Sequence, residues 1–246
     1  MAYLDLAAAE EAIRRFNGYS PLPAADRLVA RHFPSPQAAL EPATIAERVV
    51  LIDGVWTTQM FWKAGTMPRV IARLEEHAEG MLPVLEGLAE DALERRPEQI
   101  VEAANRLMPV ILDAWEGAGG PRPYSFASKF LHRSIWRQIP IVDGRARSAV
   151  RRFQVEHALR PPVTPEGGDL AEYPRWIGFY SALIRSLSVR DRERLRAADE
   201  AFQPGAGRQP SSLLRLLDKV FYVMGSGSRL PAAGAPLVAT GEHDLP

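Results

Sequence analysis

The chain reads as an all-α protein. Three observations predict this: apolar residues recur at helical spacing along most of the length, strand-like alternation is confined to one short run, and prolines fall where helices begin or end. In order, the periodicity places helices at about 5–16 and 23–32, the second entered through Pro21 and Pro23 and closed by Pro34 and Pro36. A longer segment at about 43–62 follows, then helices at about 67–79, where Pro68 sits in the first turn, and about 81–94. Pro97 opens the next helix, at about 97–116. Beyond it come about 125–137, 143–157, 172–187, 189–201 and 210–224.

With 46% hydrophobic and 24% charged residues in 246, the composition is that of a globular chain able to bury a full core. Residues 1–42 read as an N-terminal helical extension and 43–224 as the main helical domain. Within it the loop at 161–170, PPVTPEGGDL, is the candidate link between two helical halves. The tail, 225–246, is rich in Gly, Ser, Pro and Ala and is expected to be disordered. Zero cysteines exclude disulfides, thiolate metal sites and iron–sulfur clusters, and the five histidines are scattered, so neither metal nor cofactor is expected. No apolar run approaches the roughly 20 residues of a membrane helix, and no signal pattern opens the chain. The expectation is a cytoplasmic protein.

The formal net charge of zero conceals two opposed blocks. Residues 75–116 carry eleven acids against Arg95, Arg96 and Arg106, a net of −8. Residues 122–160 carry nine bases against Asp143 and Glu156, a net of +7. A segment of that sign attracts polyanions, because each neutralised phosphate releases counterions. The same blocks could instead satisfy each other as solvated helix faces.

The densest chemistry lies in residues 119–147, GGPRPYSFASKFLHRSIWRQIPIVDGRAR. Trp115 ends an amphipathic helix, and Gly117, Gly119 and Gly120 permit a tight turn. Pro121 and Pro123 delay the next helix to Tyr124 or Ser125. Ser125 is the expected cap, which puts Lys129 near the first turn, where the helix dipole favours a neutral, nucleophilic amine. The short apolar connector at 138–142 then leads to Asp143, the natural N-cap of the following helix and a carboxylate able to face a lysine.

A Gly-rich hairpin, a helix bearing Lys, then Pro and an apolar pair before Asp resembles the helix-hairpin-helix DNA glycosylase superfamily. The pattern Ser-Phe-Ala-Ser-Lys-Phe-Leu-His before Pro-Ile-x-Asp is similar to bacterial 8-oxoguanine DNA glycosylase-like proteins. The resemblance covers about residues 45–225. It implies a base-excision enzyme acting on double-stranded DNA with a damaged base, a hydrolase and lyase associated with the nucleoid when bound. Gly117, Gly119 and Gly120 would hold a DNA phosphate, Lys129 would attack the sugar C1′ to form a Schiff base, and Asp143 would assist. The segment VWTTQMFWKAGTMPRVIARL resembles the superfamily's early helix, so that Thr57, Thr58 and Gln59 would fill or hydrogen-bond the gap left by a flipped base. LLRLLDKVFYVMG resembles the closing helix, whose Phe221 and Tyr222 either stack on a base or pack the core.

Arg145 and Arg147 flank the Asp143 cap and are candidate phosphate contacts. His132, one turn beyond Lys129, is a candidate proton relay or an interhelix partner, and Lys63 and Arg69 flank the Thr-Thr-Gln segment. Two spacings depart from the family's pattern: Lys129 follows Gly120 by nine residues, further than usual, and precedes Asp143 by fourteen, nearer than usual. Two other functions remain open on these residues. One is a non-catalytic DNA-binding or interaction protein that keeps the fold, as in phage defence; the other is a helical scaffold whose charge blocks pair with each other.

Overall fold

The computed structural model describes residues 4–18, 35–56, 65–113, 124–134, 138–156, 173–201 and 211–226, together with positions 23, 24, 26, 28 and 31. Among the described residues the regular structure is helical and there is no strand. None of these helices is long and apolar enough to cross a membrane.

Helix α1 (Leu6–Gly18) starts at Asp5, whose Oδ1 accepts the amides of Ala7 and Ala8, and buries Ala9, Ile13 and Phe16 along one face. The short α2 (Pro36–Leu40) is capped by Ser35, and α3 (Pro42–Trp56) follows directly. Gly65, at φ 73°, makes the left-handed entry to α4 (Thr66–Glu86) that a side chain would resist. The sequence spacing divides this region at Gly80, whereas α4 runs through it unbroken. The reason is that Val70, Leu74, Ala78, Met81 and Leu85 continue one buried stripe past an exposed Gly80. Pro83 within α4 and Pro109 within α6 each free the carbonyl four residues back, and both Glu79 and Asn105 are exposed, so water can take the bond.

After a turn come α5 (Ala92–Arg95), α6 (Pro97–Asp113), α7 (Tyr124–Ser134), α8 (Gly144–Glu156) and α9 (Tyr173–Ser186). The chain then forms α10 (Val189–Glu200), opened by a Ser188–Asp191 capping box, and α11 (Leu213–Ser226). The helices associate in two groups. In one, α4 packs against α2, α3 and α6, and α7 packs against α3 and α6. In the other, α11 packs against α1, α8 and α10. Helix α1, from the segment read as an extension, therefore lies against α10 and α11. Helix α9 touches both groups, against α5 and α6 on one side and α11 on the other, and a single apolar cluster runs through all of them.

One buried cation fixes α7 in the first group. Arg48 of α3 is fully buried; its guanidinium donates to the carbonyls of Ala39 (3.0 Å) and Phe130 (2.9 Å) and lies 4.4 Å from the Phe130 ring centre. Burial, and then the nearby Arg133, lower its pKa to about 9.

Candidate active site at the junction of α7 and α8

Helix α7 buries Phe126, Ala127, Phe130 and Leu131, yet a row of polar residues at successive turns, Ser125, Lys129 and Arg133, runs along it. Lys129 Nζ lies 3.3 Å from Asp143 Oδ2, and the two side chains are 7% and 15% exposed. Nζ also donates to Ser125 Oγ at 3.0 Å. The sequence points to Ser125 as the cap. The helix starts one residue earlier, at the buried Tyr124, so Ser125 lies inside it and its hydroxyl serves the ammonium instead. Lys129 is then past the first turn, beyond which the field of a helix terminus falls away. Its surroundings are set by Asp143 and Ser125.

Asp143 uses its two oxygens differently. Oδ1 accepts the Ala146 amide at 2.9 Å, the N-cap bond of α8, and this fixes the carboxylate so that Oδ2 faces Lys129. Burial by itself would raise its pKa. The Lys129 charge, the Ala146 amide, the Lys129 hydrogen bond and the Arg145 charge together outweigh it and hold the carboxyl below the usual range.

The connector that delivers Asp143 is held at nearly every residue. The Gln138 carboxamide bonds the Leu93 amide (3.1 Å) and the Glu90 carbonyl. His132 Nδ1 lies 2.7 Å from the Ile139 carbonyl oxygen, and Tyr173 donates to the carbonyl of Pro140. The Val142 amide donates to Ser128 Oγ at 3.0 Å. His132 is fully buried, so its place is between α7 and the connector.

Beside the pair, one turn further along α7, lies a buried ionic network. Arg133 Nη1 bonds Asp26 Oδ1 at 2.8 Å, and the other oxygen of Asp26 takes Arg215 Nε of α11 at 3.0 Å. Arg215 also pairs with Asp218. Burial first, and the Asp143 charge among other contributions, raise the Asp218 pKa against the opposing pull of Arg215. Both the Lys129–Asp143 pair and this network join α7 of the first group to elements of the second.

Helix α8 carries the remaining cations. Arg145, Arg151 and Arg152 are exposed and Arg147 is half-buried. Arg147 Nε is shielded from solvent without a hydrogen-bond partner among the described residues. Burial, followed by Arg151, lowers the Arg147 pKa, with Asp143 and Tyr124 acting in the opposite sense. Arg145 lies 4.3 Å over the Tyr222 ring of α11. Of the nine bases in residues 122–160, Lys129 and Arg133 are thus occupied inside the protein.

Phe221 is fully buried among Phe153, Phe179 and Tyr180, a core position. Tyr222 is half-buried between Phe16 and Arg145. Arg69 is exposed and bonds the Gly65 carbonyl at 3.1 Å. Gly117, Gly119, Gly120, Thr57, Thr58, Gln59, Lys63, Trp115 and Trp136 lie outside the described residues. No group of three potential metal ligands occurs among the described residues.

Sequence reasoning missed the supports of the pair: Ser125 as a partner, Ser128, Arg133 with Asp26, and Arg215 with Asp218. The signal available was the polar row at four-residue spacing on an otherwise apolar α7, and the charges Arg215, Asp218 and Lys219 within an apolar α11. Gly225, assigned by composition to the tail, is in α11; a Cβ there would meet the backbone of Arg145, with its Cα at 2.8 Å. Compared with protein-family models, curated proteins and solved structures, the chain matches none.

Proposed function

We propose that the chain is a DNA glycosylase of the helix-hairpin-helix kind that flips and excises a damaged base, with Lys129 as nucleophile and Asp143 as the assisting carboxylate. The observation that carries this reading is the 3.3 Å approach of Lys129 Nζ to Asp143 Oδ2 between two residues that the sequence resemblance selected as a pair. Nζ must lose a proton before it can react, and Asp143 Oδ2 is an acceptor within reach. The amine lone pair then forms a bond to C1′ as the glycosidic bond breaks and its electrons leave with the base. Loss of a further proton as the sugar ring opens gives the Schiff base, from which β-elimination nicks the strand. Under this reading Arg145, which is exposed, and the half-buried Arg147, whose Nε has no hydrogen-bond partner among the described residues, would take phosphates flanking the flipped nucleotide. 8-Oxoguanine is the substrate suggested by the resemblance.

Borohydride trapping on duplex DNA with 8-oxoguanine opposite cytosine tests this. The expected result is a covalent adduct that requires both the lesion and Lys129 and is lost in Lys129→Gln. Salt-sensitive binding without an adduct on this or other modified bases would refute the catalytic role.

The burial of the pair favours a second reading, in which Lys129–Asp143 is a lock between the helix groups of a non-catalytic DNA-binding or interaction protein. Under that reading Lys129→Gln weakens the fold while no adduct forms with any lesion. Affinity for DNA that does not fall with rising salt would exclude both and leave a helical scaffold.

A further inference from the structure

A side chain on an α-helix leans toward the N-terminus, over the residue four positions back. On α7 this carries the Lys129 amine from the middle of the helix to Ser125, in its first turn. Of residues 124–133, Ser125 alone is not buried; every other one, Lys129 included, is covered. The tip of the lysine therefore lies beside the one open place on this stretch of α7. The Ser125 hydroxyl stands at that place, 3.0 Å from Nζ.

Two side-chain acceptors meet Nζ: Ser125 Oγ at 3.0 Å and Asp143 Oδ2 at 3.3 Å. They differ in what the loss of a proton from the lysine does to them. When Oδ2 takes that proton it becomes a donor, and its hydrogen points at the lone pair that has to attack. Ser125 is unaffected. An ammonium has three N–H bonds and a neutral amine two, so one remains for Oγ to accept in either state. Asp143 is meanwhile fixed through Oδ1 by the Ala146 amide and cannot follow the amine outward.

We propose that Ser125 is a positioning residue for the nucleophile: its Oγ accepts an N–H of Lys129 before and after deprotonation and so keeps the amine at the open edge of α7. The lone pair must turn away from Asp143 to reach C1′, and the bond to Ser125 holds Nζ in place while it turns. The inference rests on the glycosylase reading for its catalytic consequence. Ser125 gives up no proton and acts through Lys129 alone.

The test uses the full chain with Ser125→Ala, Ser125→Val and Ser125→Thr. Threonine keeps the hydroxyl, and valine has the shape of threonine without it. The first readout is the Lys129 ammonium by nitrogen-15 NMR of lysine-labelled protein, whose only lysines are Lys63, Lys129 and Lys219. The alanine and valine variants are expected to speed hydrogen exchange at Nζ and to make Lys129 a stronger acid, each about tenfold, with threonine close to wild type. The second readout is single-turnover excision on DNA containing 8-oxoguanine, with borohydride trapping. A stronger acid by itself would supply more free amine and speed the step, so lost position has the opposite signature. Alanine and valine are expected to slow the step about tenfold with DNA affinity unchanged, and threonine to restore it. Lys129 signals unchanged in the alanine and valine variants, or excision by those variants as fast as wild type or faster, overturns the proposal. A wild-type chain that excises nothing defeats the glycosylase reading instead, and the NMR comparison still decides whether Ser125 holds the amine.

Discussion

Substitutions of Asp143 separate the two tasks of its carboxylate. Asparagine caps a helix as well as aspartate does, so Asp143→Asn is expected to keep the Ala146 bond and lose the charge facing Lys129; Asp143→Ala loses both. In either variant an ammonium whose side chain is only 7% exposed retains Ser125 Oγ but no counter-charge from residue 143. Removing one partner of a buried pair costs about 3–5 kcal/mol, and the 15% exposure of Asp143 places this pair at the lower end, about 3 kcal/mol for Asp143→Asn. Loss of the cap adds about 1 kcal/mol, giving about 4 kcal/mol for Asp143→Ala. Lys129→Met removes the buried cation and leaves Asp143 its amide bond, at a cost of about 2 kcal/mol. The double variant Lys129→Met/Asp143→Asn has no stranded charge and should cost about 3 kcal/mol, a coupling of about 2 kcal/mol. Urea unfolding at neutral pH measures all four. Equal losses for the asparagine and alanine variants, or an additive double variant, would refute the assignment of one oxygen to the cap and the other to the ion pair.

Three further outcomes follow from neighbouring geometry. Gly225→Ala drives a methyl into the Arg145 backbone, so α8 must shift; the expected cost is about 1–3 kcal/mol by thermal unfolding, with excision reduced more than the stability loss explains, and an unchanged excision rate would show that Asp143 tolerates the shift. Arg145→Gln and Arg147→Gln should each lower the slope of log affinity for DNA against log salt by about 0.9 without altering lesion preference; unchanged slopes would remove these residues from the interface. Lys219 of α11, buried against Asp199 and Asn17, has its pKa lowered by burial to about 8, so its contribution to stability is complete above its ordinary value near 10.5 and is lost as pH falls through about 8. The wild-type chain should therefore gain about 1–2 kcal/mol relative to Lys219→Met between pH 8 and about 9.5, and parallel stability curves would contradict this.

The helices were legible because their apolar positions repeat with the period of the helix, and the Asp143 cap because an Asp before Gly-Arg-Ala, after an extended run, has few other uses. The break expected at Gly80 failed for a definable reason: an exposed glycine weakens a helix by about 1 kcal/mol, which the stripe from Val70 to Leu85 readily offsets. Lys129 and Asp143 could be selected as a pair, but their distance could not, since it depends on how the connector is held. Gln138, His132, Ser128 and Tyr173 hold it, and apart from His132, whose position one turn from Lys129 suggests an interhelix contact, nothing in their local sequence marks them for that task. Likewise the positive block was legible as an excess of one charge, yet periodicity could not show that Lys129 and Arg133 would turn inward while Arg145, Arg151 and Arg152 stayed outside.

The position of the pair also bears on how rigid it is. Lys129 belongs to a helix anchored in the first group by Arg48, and Asp143 opens a helix that packs on α11 in the second. A contact spanning two groups of helices would ordinarily vary with their relative motion. Here the connector is bonded back to α7 through His132 and Ser128, so the residue that caps α8 is mechanically tied to the helix that carries the lysine. From the other side, Arg152 bonds the Met224 carbonyl, Arg145 stacks on Tyr222, and Gly225 admits the α8 backbone, so that α11 holds the start of α8 where it is. Movement between the groups must then strain several bonds before it lengthens the Lys129–Asp143 contact. A preformed pair of this kind suits chemistry that needs a carboxylate kept ionised beside an amine before the substrate arrives, because the geometry does not have to be assembled at the moment of reaction.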